Sequence, residues 1–94
     1  FIQAGEIMFV IFIYDVGSKR VGKVMKTAKK YLVPVQKSVF EGYITESKLG
    51  KLKTEILKLI DPEYDSVMLY KMGSMRFVEK EEIGIIKNED PFFI

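Results

Sequence analysis

Asp15 is the residue of this sequence best placed to do chemistry. It closes an apolar run, Met8 to Tyr14, and precedes the turn Val16-Gly17, a position at the C-terminal end of a buried strand where active-site carboxylates often stand. On position alone, a turn-initiating aspartate bonded to its own backbone is the ordinary reading. Its neighbours point further. Tyr14 precedes it, and Lys19 and Arg20 fall in the first turn of the following helix, where cations oppose the helix dipole. Backbone N–H groups at a helix start already favour phosphate, and two basic side chains strengthen that preference. The 94 residues include no Cys and no His. That excludes a thiolate nucleophile, an imidazole base and an ordinary zinc site, and leaves carboxylates, lysines, tyrosines and hydroxyls. One carboxylate is a poor metal site. Two copies of Asp15 facing each other across a two-fold axis would hold magnesium or a similar divalent metal, able to polarise a phosphodiester and activate water.

The lysines form the second feature. Lys19, Lys23, Lys26 and Lys30 recur along one stripe with Lys29 beside it, and Lys48, Lys51, Lys53 and Lys58 ride on a second helical segment. From Val16 to Lys58, eleven Lys or Arg face three acids, a balance of +8, whereas Leu59 to Ile94 carries −4 and Glu6 with Asp15 adds −2, giving the net +2. A solvated helix face is the bland alternative, but the asymmetry suits a polyanion. No surface aromatics interleave the lysines, so the pattern favours backbone-directed, salt-sensitive nucleic-acid binding. A duplex suits it better than a single strand.

These residues need elements to hold them. Met8 to Tyr14 reads as a strand apolar on both faces. Ser18 is a plausible N-cap for a helix with Val21, Val24, Met25, Ala28 and Leu32 on one side, stopped by Pro34. Val35 to Thr45 reads as β structure, one bent strand or two short ones split near Lys37-Ser38. Thr45 can cap a second helix with Leu49, Leu52, Ile56, Leu59 and Ile60 inward, closed by Asp61-Pro62. Ser66 to Met72 is a further strand, and Met75 to Glu79 a short candidate after Gly73-Ser74.

The order matches an α+β, ferredoxin-like βαββαβ sandwich. Residues 8–79 form the domain; residues 1–7 are an extended start or a remnant foreign to it, and residues 80–94 are a C-terminal segment contacting a partner protomer. Two helices cover one face of a sheet, yet Phe9, Ile11 and Ile13 oppose Met8, Val10, Phe12 and Tyr14, and Val67 and Leu69 oppose Met68, Tyr70 and Met72. A second copy packed sheet to sheet is the expected cover, with the chain's own C-terminal segment as the alternative. No apolar run approaches the roughly 20 residues of a membrane helix. The absence of Cys fits a cytoplasmic location.

The segments Val10 to Val16, Lys19-Arg20-Val21, Val35-Gln36-Lys37-Ser38-Val39-Phe40-Glu41-Gly42, Ile60-Asp61-Pro62 and Asp65-Ser66-Val67 resemble the CRISPR-associated protein 2 family, the small spacer-acquisition protein also named CRISPR-associated endoribonuclease. The resemblance spans Met8 to about Gly84. It implies two strands within Val35 to Thr45, a symmetric homodimer, and an extra C-terminal strand near Ile83 to Ile86 added to the partner's sheet. It implies that Asp15 binds a divalent metal, Mg2+, and that Tyr14, Lys19, Arg20, Ser38 and Phe40 line or support that region, with Tyr14 beside Asp15 as catalytic. Pro34 stands where many members carry an Arg, a departure that bears on nuclease activity more than on fold or DNA binding. Two functions are implied: a scaffold that holds duplex DNA and bridges the CRISPR integrase, and a magnesium-dependent endonuclease acting on RNA or double-stranded DNA. A small-ligand regulatory domain is a third class that ferredoxin-like dimers support, though no glycine-rich ligand loop is present.

Overall fold

The apolar run becomes the centre of a sheet. A computed structural model describes residues 7–73 and 81–84. Within them follow β1 (Ile7–Asp15), α1 (Ser18–Ala28), β2 (Val33–Gln36), β3 (Val39–Thr45), α2 (Glu46–Leu59) and β4 (Ser66–Met72). The four strands form one antiparallel sheet in the order β2-β3-β1-β4, with β1 paired on both edges. This is the expected ferredoxin-like α+β arrangement, with both helices on one face.

Strand alternation sorts β1 into two sets. Met8, Val10, Phe12 and Tyr14 are buried in one core with Val24 and Ala28 of α1, Leu49, Leu52 and Ile56 of α2, and Phe40 and Ile44 of β3. Val67 and Leu69 pack against the same core. On the other face, cross-strand pairing aligns Phe9 with Tyr43 and Met72, Ile11 with Glu41 and Tyr70, and Ile13 with Val39 and Met68. Tyr43, Met68 and Tyr70 are 51–53% exposed there. Among the described residues this sheet face is apolar and no helix lies over it, as the two-sided pattern of β1 and β4 leads one to expect.

Several boundaries differ from expectation. Gly17, not Ser18, holds the N-cap position of α1, and no side chain of its own caps the helix. The helix ends at Ala28 rather than running to Leu32. The chain leaves through a turn in which the Leu32 N–H donates to the Ala28 carbonyl at 2.8 Å, which still buries Leu32 in the core. Pro34 does not stop the helix but lies inside β2. A proline is tolerated there because β2 is an edge strand, pairing only with β3, and its register shifts between Pro34 and Gln36.

The bent-or-split question is settled as a β2–β3 hairpin turning at Lys37-Ser38, with Ser38 at φ 66° in the left-handed region. Thr45 caps α2, its hydroxyl accepting from the Lys48 N–H at 3.2 Å. β4 keeps the expected bounds, and β1 starts at Ile7, one residue before the expected domain edge. The strand candidate Met75 to Glu79 lies outside the described residues, as do Ile85 and Ile86, while Ile83 and Gly84 take no strand conformation.

Candidate metal and nucleic-acid site

Asp15 is the last residue of β1, exposed, opposite Ser66 of β4 in the sheet register. Alternation places it in line with Ile13, Ile11 and Phe9, on the uncovered face. Tyr14 therefore belongs to the opposite face. It is 6% exposed, with its ring 5.9 Å from that of Phe40 and 6.0 Å from that of Phe12. The expected catalytic pair Tyr14 and Asp15 is not brought together, because neighbouring residues of a strand cannot share a face. Phe40 is likewise a core residue, 1% exposed. Both support the strand end from beneath. Ser38 supports it from the side: its carbonyl accepts from the Tyr14 N–H at 3.0 Å, tying the hairpin turn to the residue before Asp15.

The basic first turn of α1 has its anion already. Asp65, just before β4, has a fully buried side chain whose two oxygens accept from four N–H donors. These are Gly17 N at 2.9 Å, Arg20 Nε at 2.6 Å, Arg20 Nη2 at 2.8 Å and Asp61 N at 2.8 Å. The Arg20 hydrogen bonds, joined by those from Asp61 and Gly17, hold the Asp65 carboxyl far below the usual carboxylate range, and Asp65 in turn raises Arg20. A carboxylate at the start of α1 also meets the positive end of its dipole. Arg20 thus answers an internal carboxylate forty-five residues along the chain, whereas Lys19 beside it has no ion pair among the described residues. Arg20 remains 31% exposed at its side chain. A sequence reading sees the two cations but has no local signal for a partner so distant.

Lys19, Lys23 and Lys26 are exposed on α1, and no ion pair among the described residues holds them. Lys30 differs from the expected stripe. It lies in the turn after α1, with Nζ 2.5 Å from Glu55 of α2, and Glu55 also accepts from the Tyr31 hydroxyl. The bonds from Lys30 and Tyr31 lower the Glu55 carboxyl, and the same bonds raise Lys30 and Tyr31. Lys30 is a link between the helices as well as a surface cation. Pro34 is buried opposite Phe40 on the helix-covered side, so it takes no side chain away from the face of Asp15.

For a metal, the donor set at this end of the sheet is the Asp15 carboxylate with the Ser66 hydroxyl opposite. These are hard oxygens of the kind magnesium takes alongside waters and phosphate oxygens. Among the described residues no three Asp, Glu, His or Cys side chains cluster to hold an ion. One chain therefore brings a single carboxylate to this point, and a paired-carboxylate magnesium site would need a second Asp15. No helix among the described residues is long and apolar enough to cross a membrane.

Comparison with known proteins agrees with this fold. Residues 8–80 match the family model described as CRISPR associated protein Cas2. A CRISPR-associated endoribonuclease Cas2 of Thermotoga maritima is 48% identical over 85 residues, covering 90% of this chain and 98% of the relative. One from Pyrococcus furiosus is 43% identical over 81 residues, covering 86% and 93%. A solved structure titled as the crystal structure of cas2 superposes with a TM-score of 0.76 at 31% identity over 95% of this chain and 98% of its own. Streptococcus pyogenes Cas2 at pH 6.5 superposes with a TM-score of 0.66 at 32% identity over 79% and 99%.

Proposed function

This chain belongs to the CRISPR associated protein Cas2 family, and from that premise we propose that it acts in CRISPR spacer acquisition as a homodimeric scaffold. In this reading it holds duplex DNA on the basic outer face of α1 and bridges the CRISPR integrase, working in the cytoplasm. The observation that carries the reading is that Asp15 lies on the one sheet face the helices leave uncovered. Packing two copies through that face buries Tyr43, Met68 and Tyr70 and sets two Asp15 carboxylates toward each other. It also leaves Lys19, Lys23 and Lys26 of both copies outside, free to meet phosphates.

A second activity, divalent-metal-dependent endonuclease action on RNA or DNA, is favoured by the same residue and by the endoribonuclease names of the relatives. Mg2+ held by the paired Asp15 carboxylates would supply Lewis-acid polarisation of a phosphodiester. The chain's own part is to orient and bind. Asp15 presents oxygens at a strand end fixed by Ser38 on one side and β4 on the other, and Lys19 offers a cation to the phosphate nearby. Tyr14 and Phe40 pack beneath.

Hydrolysis of RNA and duplex DNA by the parent and Asp15→Ala, each with and without Mg2+, tests the activity. Loss in the variant supports the nuclease, and equal traces in both leave the scaffold alone. Sedimentation tests the assembly. A stable monomer at micromolar concentration would sink the dimer and with it the shared Asp15 site.

A further inference from the structure

Asp65 is the most heavily bonded side chain in the described chain, and nothing in the scaffold or nuclease reading uses it. Its placement closes a short ring around Asp15. Asp15 runs covalently through Val16 to Gly17, whose N–H donates to Asp65 Oδ1; Asp65 is followed by Ser66, which stands opposite Asp15 in the β1–β4 register. Oδ2 fixes the other side of the ring. It accepts from Asp61 N at 2.8 Å, and the Asp61 carbonyl accepts from Tyr64 N at 3.0 Å and Asp65 N at 2.8 Å, so the loop carrying Asp65 is itself tied down. Arg20 braces the carboxylate from the first turn of α1 with two donors. A Cβ at Gly17 would stand 2.7 Å from Arg20 Nη2, so the guanidinium would have to shift out of this position to make room. Since Asp15 is exposed and ends its strand, its direction is set by the backbone on either side, and Asp65 bonds or adjoins both of those segments.

We propose that Asp65 is a positioning residue, which through Gly17, Arg20 and Asp61 fixes where the Asp15 carboxylate stands for divalent-metal binding. The inference rests on the metal reading of Asp15. Supporting partners of metal ligands contribute to affinity in this way, and their loss weakens binding by about 10–100-fold.

The experiment measures Mn2+ binding to the intact protein by the electron paramagnetic resonance signal of the free ion, without nucleic acid. Parent, Asp15→Ala, Asp65→Asn and Gly17→Ala are compared at a temperature where circular dichroism shows each folded. Gly17→Ala keeps both charged partners and displaces only the guanidinium, so it carries the test if Asp65→Asn does not fold. Leu49→Ala, which opens a cavity in the core at a fully buried residue of α2, controls for general loosening. The expected result is Asp15-dependent Mn2+ binding, weakened about tenfold in Asp65→Asn and Gly17→Ala and unchanged in Leu49→Ala. Parent-like binding in Asp65→Asn and Gly17→Ala would overturn the positioning role alone, as would equal weakening in Leu49→Ala. Parent-like binding in Asp15→Ala would overturn the metal reading, and the inference with it.

Discussion

Removing Lys23 and Lys26 together should flatten the salt dependence of duplex binding. Lys19, Lys23 and Lys26 are exposed and held by no described ion pair, which gives three free cations on α1 per protomer and six in a dimer. Each phosphate neutralised contributes about −0.9 to the slope of log affinity against log salt, so six contacts give a slope of about −5. Lys23→Ala/Lys26→Ala leaves two, with a slope of about −2. Between about 50 and 200 mM salt the parent should then lose about a thousandfold in affinity and the double variant about tenfold. Lys30→Ala is the internal contrast, because its ammonium is already committed to Glu55. It should change the slope by less than Lys23→Ala alone. Fluorescence anisotropy with a labelled duplex across a salt series measures all four proteins. An unchanged slope in the double variant, or a Lys30→Ala effect equal to that of Lys23→Ala, would refute the assignment of the outer face of α1 to phosphate contact.

The remaining expectations concern stability. The Asp65 carboxyl is lowered by folding, so its contribution is fully present above the ordinary aspartate range and lost as pH falls below about 4. Thermal melts from neutral pH downward should show that loss in the parent and a flatter acid limb in Asp65→Asn; parallel curves would contradict the linkage. Phe40→Ala, at a residue 1% exposed, should destabilise by about 3–5 kcal/mol. Leu57→Ala, at a residue 70% exposed, should stay within about 0.5 kcal/mol. Urea unfolding measures both, and similar midpoints would refute the placement of the core. Thr45→Ala should cost about 1 kcal/mol through loss of the cap on α2, and no measurable change would show that Lys48 N–H finds another partner.

The elements were legible wherever a local rule governs them. The run Met8 to Tyr14 reads as a strand apolar on both faces and is one, Thr45 had the residue type and place of a cap, and β4 kept both bounds. The errors arose where a long-range contact overrides a local one. Ser18 has the chemistry of an N-cap, yet Asp65 meets the same helix start and accepts from Gly17, which a window around Ser18 cannot reveal. Pro34 is a helix breaker by propensity, but α1 ends at Ala28 and the edge position of β2 accommodates the ring. Asp15 was readable as a candidate because strand ends and charge patterns are local, and its exposed place at the end of β1 is what the structure adds. That Tyr14 belongs to the other side follows from strand alternation, which the pairing of the two as neighbours in sequence overlooked. Glu55 was missed because its partners Lys30 and Tyr31 lie about two dozen positions away.

Two copies meeting through the sheet face that bears Asp15, as proposed above, would bring position 15 of both chains to the interface and leave position 26 outside it. The chain contains no cysteine, so a single introduced thiol reports its own surroundings. Asp15→Cys and Lys26→Cys, each treated with a short bis-maleimide at low micromolar protein, test the claim most directly. The expected result is a covalent dimer from Asp15→Cys and monomer from Lys26→Cys. A covalent dimer from Lys26→Cys with none from Asp15→Cys would contradict it.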